Sequence, residues 1–122
     1  MGKRVLLVDD EPFVGHLVRN LLVRDGYEVL VARNGREALD CLERGTEVHL
    51  IITDLAMPEL DGFGLLEALR GKSVPPVLVL TARGHVEDER RALDLGAAGL
   101  ITKPFSREGL LAAVRMHLEG SS

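Results

Sequence analysis

Asp54 closes the apolar series Leu50-Ile51-Ile52-Thr53, and turn-forming residues follow at once through Pro58 and Asp61-Gly62. Such a run describes a buried strand handing one acid to a surface, because central strands of a parallel sheet, covered on both faces, read as unbroken apolar stretches. Alone, that carboxylate could be a metal ligand, a general base, a nucleophile or a helix cap. Three further strand ends supply its company. Arg4–Val8 ends in Asp9-Asp10-Glu11-Pro12, Val77–Leu80 in Thr81-Ala82-Arg83-Gly84, and Ala98–Thr102 in Lys103-Pro104-Phe105. In a parallel sheet these ends open on one edge, where ligands collect. Three acids, one hydroxyl and one lysine are expected to converge there.

Asp9, Asp10 and Asp54 would repel one another in an apolar crevice unless a cation neutralised them. With no cysteine or histidine beside them, the donors are all oxygen, which suits Mg²⁺, or Mn²⁺ in its place, keeping several waters. A carboxylate oxygen beside such an ion and a lysine is placed to receive a phosphoryl group and become an aspartyl phosphate. Phosphoryl transfer asks the protein chiefly for positioning and for neutralisation of three equatorial oxygens. The ion, the Lys103 ammonium and the Thr81 hydroxyl with nearby N–H groups could share that task. Only three lysines stand against twelve arginines, and one of the three falls where a compact charge would serve.

Each residue also has an ordinary role. Asp9 or Asp10 can cap a helix starting near Pro12, Asp61 can cap the third helix, Thr81 can be a strand-end hydroxyl and Lys103 a solvated cation. Their joint occurrence at four ends of one sheet edge favours the phosphoacceptor site. His16, His49, His85 and His117 lack ligand spacing and read as structural or surface residues.

Five strand-then-helix units position these groups. The first helix, Phe13 to Arg24, places Val14, Leu17, Val18, Leu21 and Leu22 in one apolar stripe. Strand Glu28–Ala32 leads through a capping Asn34 to a helix over Arg36–Arg44 that buries Ala38, Leu39 and Leu42. Gly62 to about Arg70 buries Phe63, Leu66 and Leu69, and Gly71 with Pro75-Pro76 prevents its continuation. Val86–Leu95 forms a short helix whose charge run, Glu87 to Arg91, reads as a solvated face. Ser106 caps a last helix with Leu110, Leu111, Val114 and Leu118 on one stripe. Glycines 26, 45, 71 and 96 close four of the helices. The alternation predicts an α/β fold with a five-stranded doubly wound parallel sheet. Helices on both faces require one reversal of strand order, and 2-1-3-4-5 places the first and third strands side by side.

The chain has 122 residues, a formal net charge of −4 and one cysteine, Cys41. That length suits one domain burying roughly two-thirds of its unfolded surface. Cys41, among apolar neighbours in a helix, reads as a buried thiol, and no internal disulfide can form. The negative charge argues against direct nucleic-acid binding by this chain. No stretch is long enough to span a membrane and Asp9 arrives too early for a signal peptide, so a cytoplasmic protein without membrane attachment is expected. Residues 1–119 are expected to form the domain, with 120–122 a linker stub or vector-derived tail.

Asp9-Asp10, the segment Asp54-Leu55-Ala56-Met57-Pro58-Glu59-Leu60-Asp61-Gly62, Thr81-Ala82 and Lys103-Pro104-Phe105 together resemble the receiver domain of two-component response regulators, over residues 3 to 119. That family itself exemplifies the flavodoxin-like (βα)₅ order given above. The resemblance implies that Asp54 is the phosphoacceptor, that Asp10 binds Mg²⁺ directly and Asp9 largely through water, and that the Ala56 carbonyl is another ligand. It implies that Thr81 swings toward the phosphoryl group, that Lys103 contacts it, and that Lys103-Pro104 is a cis peptide. The donor would be a sensor histidine kinase's phosphohistidine, a phosphotransfer domain or a small acyl phosphate. The recipient would be a downstream target or fused output domain, met through the face of the fourth helix, fifth strand and fifth helix, with homodimerisation on activation compatible with the family. Such a protein is a switch catalysing only its own phosphorylation and dephosphorylation. Leu100 occupies a position where the family often has an aromatic reporter of phosphorylation, while Ala56 and Arg83 flank the phosphoryl site.

Other functions fit less well. A flavin or nucleotide site wants a phosphate-binding loop after the first strand, and Asp9-Asp10-Glu11 would repel the anion. A phosphatase of the haloacid dehalogenase kind typically carries a second acid two residues past its nucleophile, where this chain has Ala56. The remaining alternative is a degenerate receiver serving as a phosphorylation-independent docking module, against which the complete residue set argues.

Overall fold

The computed structural model describes residues 2–82 and 85–118. Among them the elements are β1 (Arg4–Val8), α1 (Pro12–Arg24), β2 (Glu28–Ala32), α2 (Gly35–Glu43), β3 (Leu50–Asp54), α3 (Gly62–Leu69), β4 (Val77–Ala82), α4 (Val86–Asp94), β5 (Gly99–Lys103) and α5 (Arg107–Leu118). The strands pair in parallel in the order β2-β1-β3-β4-β5, as expected.

Local chemistry sets the helix ends. Pro12 opens α1, where its missing N–H costs nothing. The Asn34 side chain accepts the Glu37 N–H at 2.9 Å, Asp61 Oδ1 accepts the Gly64 N–H at 2.8 Å, and Ser106 Oγ accepts the Gly109 N–H at 2.9 Å. The chain leaves α1 to α4 through Gly26, Gly45, Gly71 and Gly96, all at positive φ.

Alternation along the strands divides the core between the two faces of the sheet. Leu6, Val8, Ile51, Val77 and Val79 cluster with Ala38, Leu39, Leu65, Leu66, Leu69 and Ala92 of α2, α3 and α4. Val5, Leu7, Leu50, Ile52, Leu78, Leu80 and Ile101 cluster with residues of α1 and α5. Cys41 is buried, as its neighbours indicated.

Several details differ from the sequence reading. Leu17 is 44% exposed and lies outside the buried part of the α1 stripe, which centres on Val18 and Leu22. Phe63, Leu42 and Leu118 are half-buried, while Leu65, not expected inside, is fully buried. β4 extends to Ala82 and β5 runs one residue further, to Lys103, because their pairing continues through Thr81–Thr102 and Ala82–Lys103. Neither Asp9 nor Asp10 caps α1: Glu11 is its N-cap residue and makes no side-chain capping bond.

Candidate functional site

Strand register brings the expected groups to one edge. Val8 lies opposite Thr53, Asp54 opposite Leu80, and Ala82 opposite Lys103. Lys103 Nζ donates to Asp54 Oδ2 at 3.1 Å, with the two side chains 30% and 14% exposed. Asp54 Oδ1 accepts the Leu55 N–H at 2.7 Å. Both oxygens are held, so the carboxylate is fixed in orientation while its rim stays open to solvent. Lys103-Pro104 is cis.

Asp9 lies deeper, at 4% exposure. Its Oδ1 accepts the Glu11 N–H at 2.8 Å, and its buried Oδ2 has no hydrogen-bond partner. Burial pushes the Asp9 carboxyl up to about 6; the Glu11 N–H opposes the rise, the Asp54 and Asp10 carboxylates add to it, and Lys103 counters them. An orphaned buried oxygen is costly, and here it belongs to an acid within electrostatic reach of two others. The donor set therefore fits a hard divalent cation. Among the described residues, no three carboxylate, imidazole or thiol side chains stand close enough to cage an ion by themselves. Asp10 and Ala56 lie exposed on the rim, so the fit is to an open site that needs backbone and water oxygens as well.

Thr81 is buried, and its hydroxyl donates to the Ala82 carbonyl at 3.4 Å, a long bond. Asp54 and Lys103 thus meet directly, while Thr81 stands one register step beyond Leu80. Arg83, expected beside the phosphoryl position, lies outside the described residues.

The sequence matches the response regulator receiver domain family over residues 5–115. The chain belongs to that family. This receiver domain is 40% identical over 113 residues to the "Probable transcriptional regulator ycf27" of Cyanophora paradoxa, covering 93% of this chain and 47% of that protein. It is 39% identical over 118 residues to the transcriptional regulatory protein CpxR of Escherichia coli K12, covering 97% and 50%. It thus spans about half the length of these relatives. Among solved structures, the receiver domain of Francisella response regulator 1452 superposes with a TM-score of 0.89 at 30% identity, covering 99% of this chain and 100% of that one. The chemotaxis protein CheY4 of Vibrio cholerae superposes with a TM-score of 0.86 at 34% identity, covering 97% and 100%.

Backbone contributions escaped the sequence reading. The Leu55 and Glu11 N–H groups that orient Asp54 and Asp9 carry no side-chain signature. Of the histidines, His49 Nδ1 accepts the Arg4 N–H at 2.9 Å and His117 Nδ1 bonds the Ala113 carbonyl at 2.8 Å, both structural roles. Asp61 caps α3, its ordinary role.

Proposed function

We propose that this receiver domain, residues 1–119, accepts a phosphoryl group onto Asp54 from the phosphohistidine of a sensor histidine kinase or phosphotransfer domain, and that the α4–β5–α5 face changes in response. The observation that carries this reading is the 3.1 Å pairing of Lys103 Nζ with Asp54 Oδ2 across 49 positions of sequence. Asp9, Asp10, Asp54 and the Ala56 carbonyl would hold Mg²⁺ or Mn²⁺, which when bound neutralises charge on the phosphoryl oxygens.

An Asp54 oxygen attacks phosphorus in line, the P–N bond to the donor imidazole breaks, and the leaving ring nitrogen keeps the electron pair. The product is a carboxylic–phosphoric anhydride. Its formation removes the carboxylate charge that Lys103 faces, so the ammonium follows the negative charge onto the phosphoryl group. The Thr81 hydroxyl gives up only a long bond to turn the same way. Hydrolysis by water returns the carboxylate and inorganic phosphate. Leu100, half-buried and aliphatic, cannot signal by turning a ring, so the change on the α4–β5–α5 face proceeds without that reporter. Arg91 of α4 lies 4.2 Å over the Phe63 ring of α3 and is one contact that such a change would alter.

The transcriptional regulators it matches are about twice its length, which supports a fused output domain; a separate target is the other route. Homodimerisation on activation is compatible with this reading. The net charge of −4 supports a switch that leaves nucleic-acid contact to other chains or domains. No helix among the described residues is long and apolar enough to cross a membrane, and the proposed site of action is the cytoplasm.

Incubation with acetyl phosphate and Mg²⁺, followed by hydroxylamine, tests the chemistry. An acyl phosphate is cleaved to a hydroxamate, which peptide mass analysis should place at Asp54. A phosphate that resists hydroxylamine, or one placed on another residue, would contradict the reading.

A further inference from the structure

The turn from β3 into α3 carries Ala56, and three ties hold it. The Gly62 N–H donates to the Leu55 carbonyl at 2.9 Å, closing the loop on itself. Asp61 Oδ1 accepts the Gly64 N–H, fastening the loop to the helix that follows. The third tie leaves the local chain: the Leu60 carbonyl accepts the Gly35 N–H, at the start of α2, at 2.8 Å. At Gly35 that bond leaves no room for a side chain, and at Gly64 a side chain would have to displace the end of the Leu60 side chain. A Cβ on Gly35 would lie 2.6 Å from the Leu60 oxygen and 3.1 Å from its Cβ, and a Cβ on Gly64 would lie 2.5 Å from Leu60 Cδ1. Immediately before this clamp, Glu59 is held at φ 67, the left-handed region that a non-glycine residue occupies only where its surroundings dictate it.

We propose that Leu60, gripped between Gly35 and Gly64, is a positioning residue that fixes the loop presenting the Ala56 carbonyl, so that the cation site of β1 and β3 is completed from α2. Leu60 itself touches neither ion nor phosphate; it acts through the backbone. Without its side chain the turn loses the packing against Gly35 and Gly64 that seats Leu60 next to the left-handed Glu59, and the loop relaxes away from the strand ends. The start of α2 thereby becomes a place from which cation affinity is set. This inference rests on the reading above that the Ala56 carbonyl is a ligand.

Calorimetric titration of Mg²⁺ alone into the full chain tests it. Leu60→Ala should weaken Mg²⁺ binding at least fivefold, and Gly35→Ala, which forces the Leu60 carbonyl away, should do the same where it folds. Leu111→Ala, a core truncation in α5 on the opposite face of the sheet, should lower thermal stability yet leave the Mg²⁺ dissociation constant within twofold of wild type. Binding by Leu60→Ala as tight as wild type would overturn the positioning role, as would equal weakening by Leu111→Ala. A wild-type chain that binds no Mg²⁺ would instead overturn the cation site, and this inference with it.

Discussion

Asp9 is a buried acid with one oxygen bonded to a backbone N–H and the other bare. Its carboxyl stands at about 6 against 3.8 for an unperturbed group, so the folded state holds a proton that the unfolded chain has released between those values. Without a cation, Asp9's own contribution to stability therefore falls as pH rises from about 4 to 6, and its penalty persists at higher pH. Asp9→Asn removes the charge. In chelator it should raise the free energy of unfolding at pH 7.5 by about 1–2 kcal/mol and lose that advantage near pH 4, as paired denaturant titrations would reveal. Lys103 meets Asp54 from a different strand, and Lys103→Ala should slow phosphorylation by acetyl phosphate on the order of a hundredfold, measured by initial rates of mass gain. At this scale the types and positions of the acids, the hydroxyl and the lysine were legible in sequence because each closes an apolar strand. The backbone donors were not, since any residue supplies an N–H.

Helix ends were the most legible elements. Asn34, Asp61 and Ser106 each accept the backbone N–H three residues on, and short polar side chains before an apolar stripe announce that geometry. Ser106→Ala should cost about 1 kcal/mol of stability and leave the extent of Asp54 phosphorylation unchanged, since Ser106 belongs to the cap of α5; thermal melts and intact mass on one sample separate the two effects. Helix faces were less legible. Periodicity located the centre of the α1 stripe but not its width, so Leu17 came out 44% exposed. α3 is apolar almost all round, with Phe63, Leu65, Leu66, Ala68 and Leu69 in eight residues. Lacking a polar side to orient it, it hid the burial of Leu65.

For the whole molecule, one sheet divides two apolar clusters and holds the site at its carboxyl edge. Ile52 is fully buried two residues before Asp54. Ile52→Ala should cost 2–5 kcal/mol, roughly, in denaturant titrations, with unfolding still a single transition because both clusters share the strands. A single reversal of strand order was legible from the alternation of elements and the need to cover both faces, while the particular order 2-1-3-4-5 is the one the family resemblance exemplifies; together they forecast that the acids and Lys103 would meet. The depth of Asp9 and the tie of Leu60 to α2 were not, because both depend on tertiary distance. On the proposed reading, this edge makes Asp54 a Mg²⁺-dependent phosphoacceptor. Intact-mass spectrometry after incubation with acetyl phosphate, with and without Mg²⁺, on wild type and Asp54→Asn, tests it most directly. The wild type with Mg²⁺ should gain one phosphoryl group and Asp54→Asn none; an equal gain in Asp54→Asn, or no gain in the wild type with Mg²⁺ present, would overturn the assignment of Asp54.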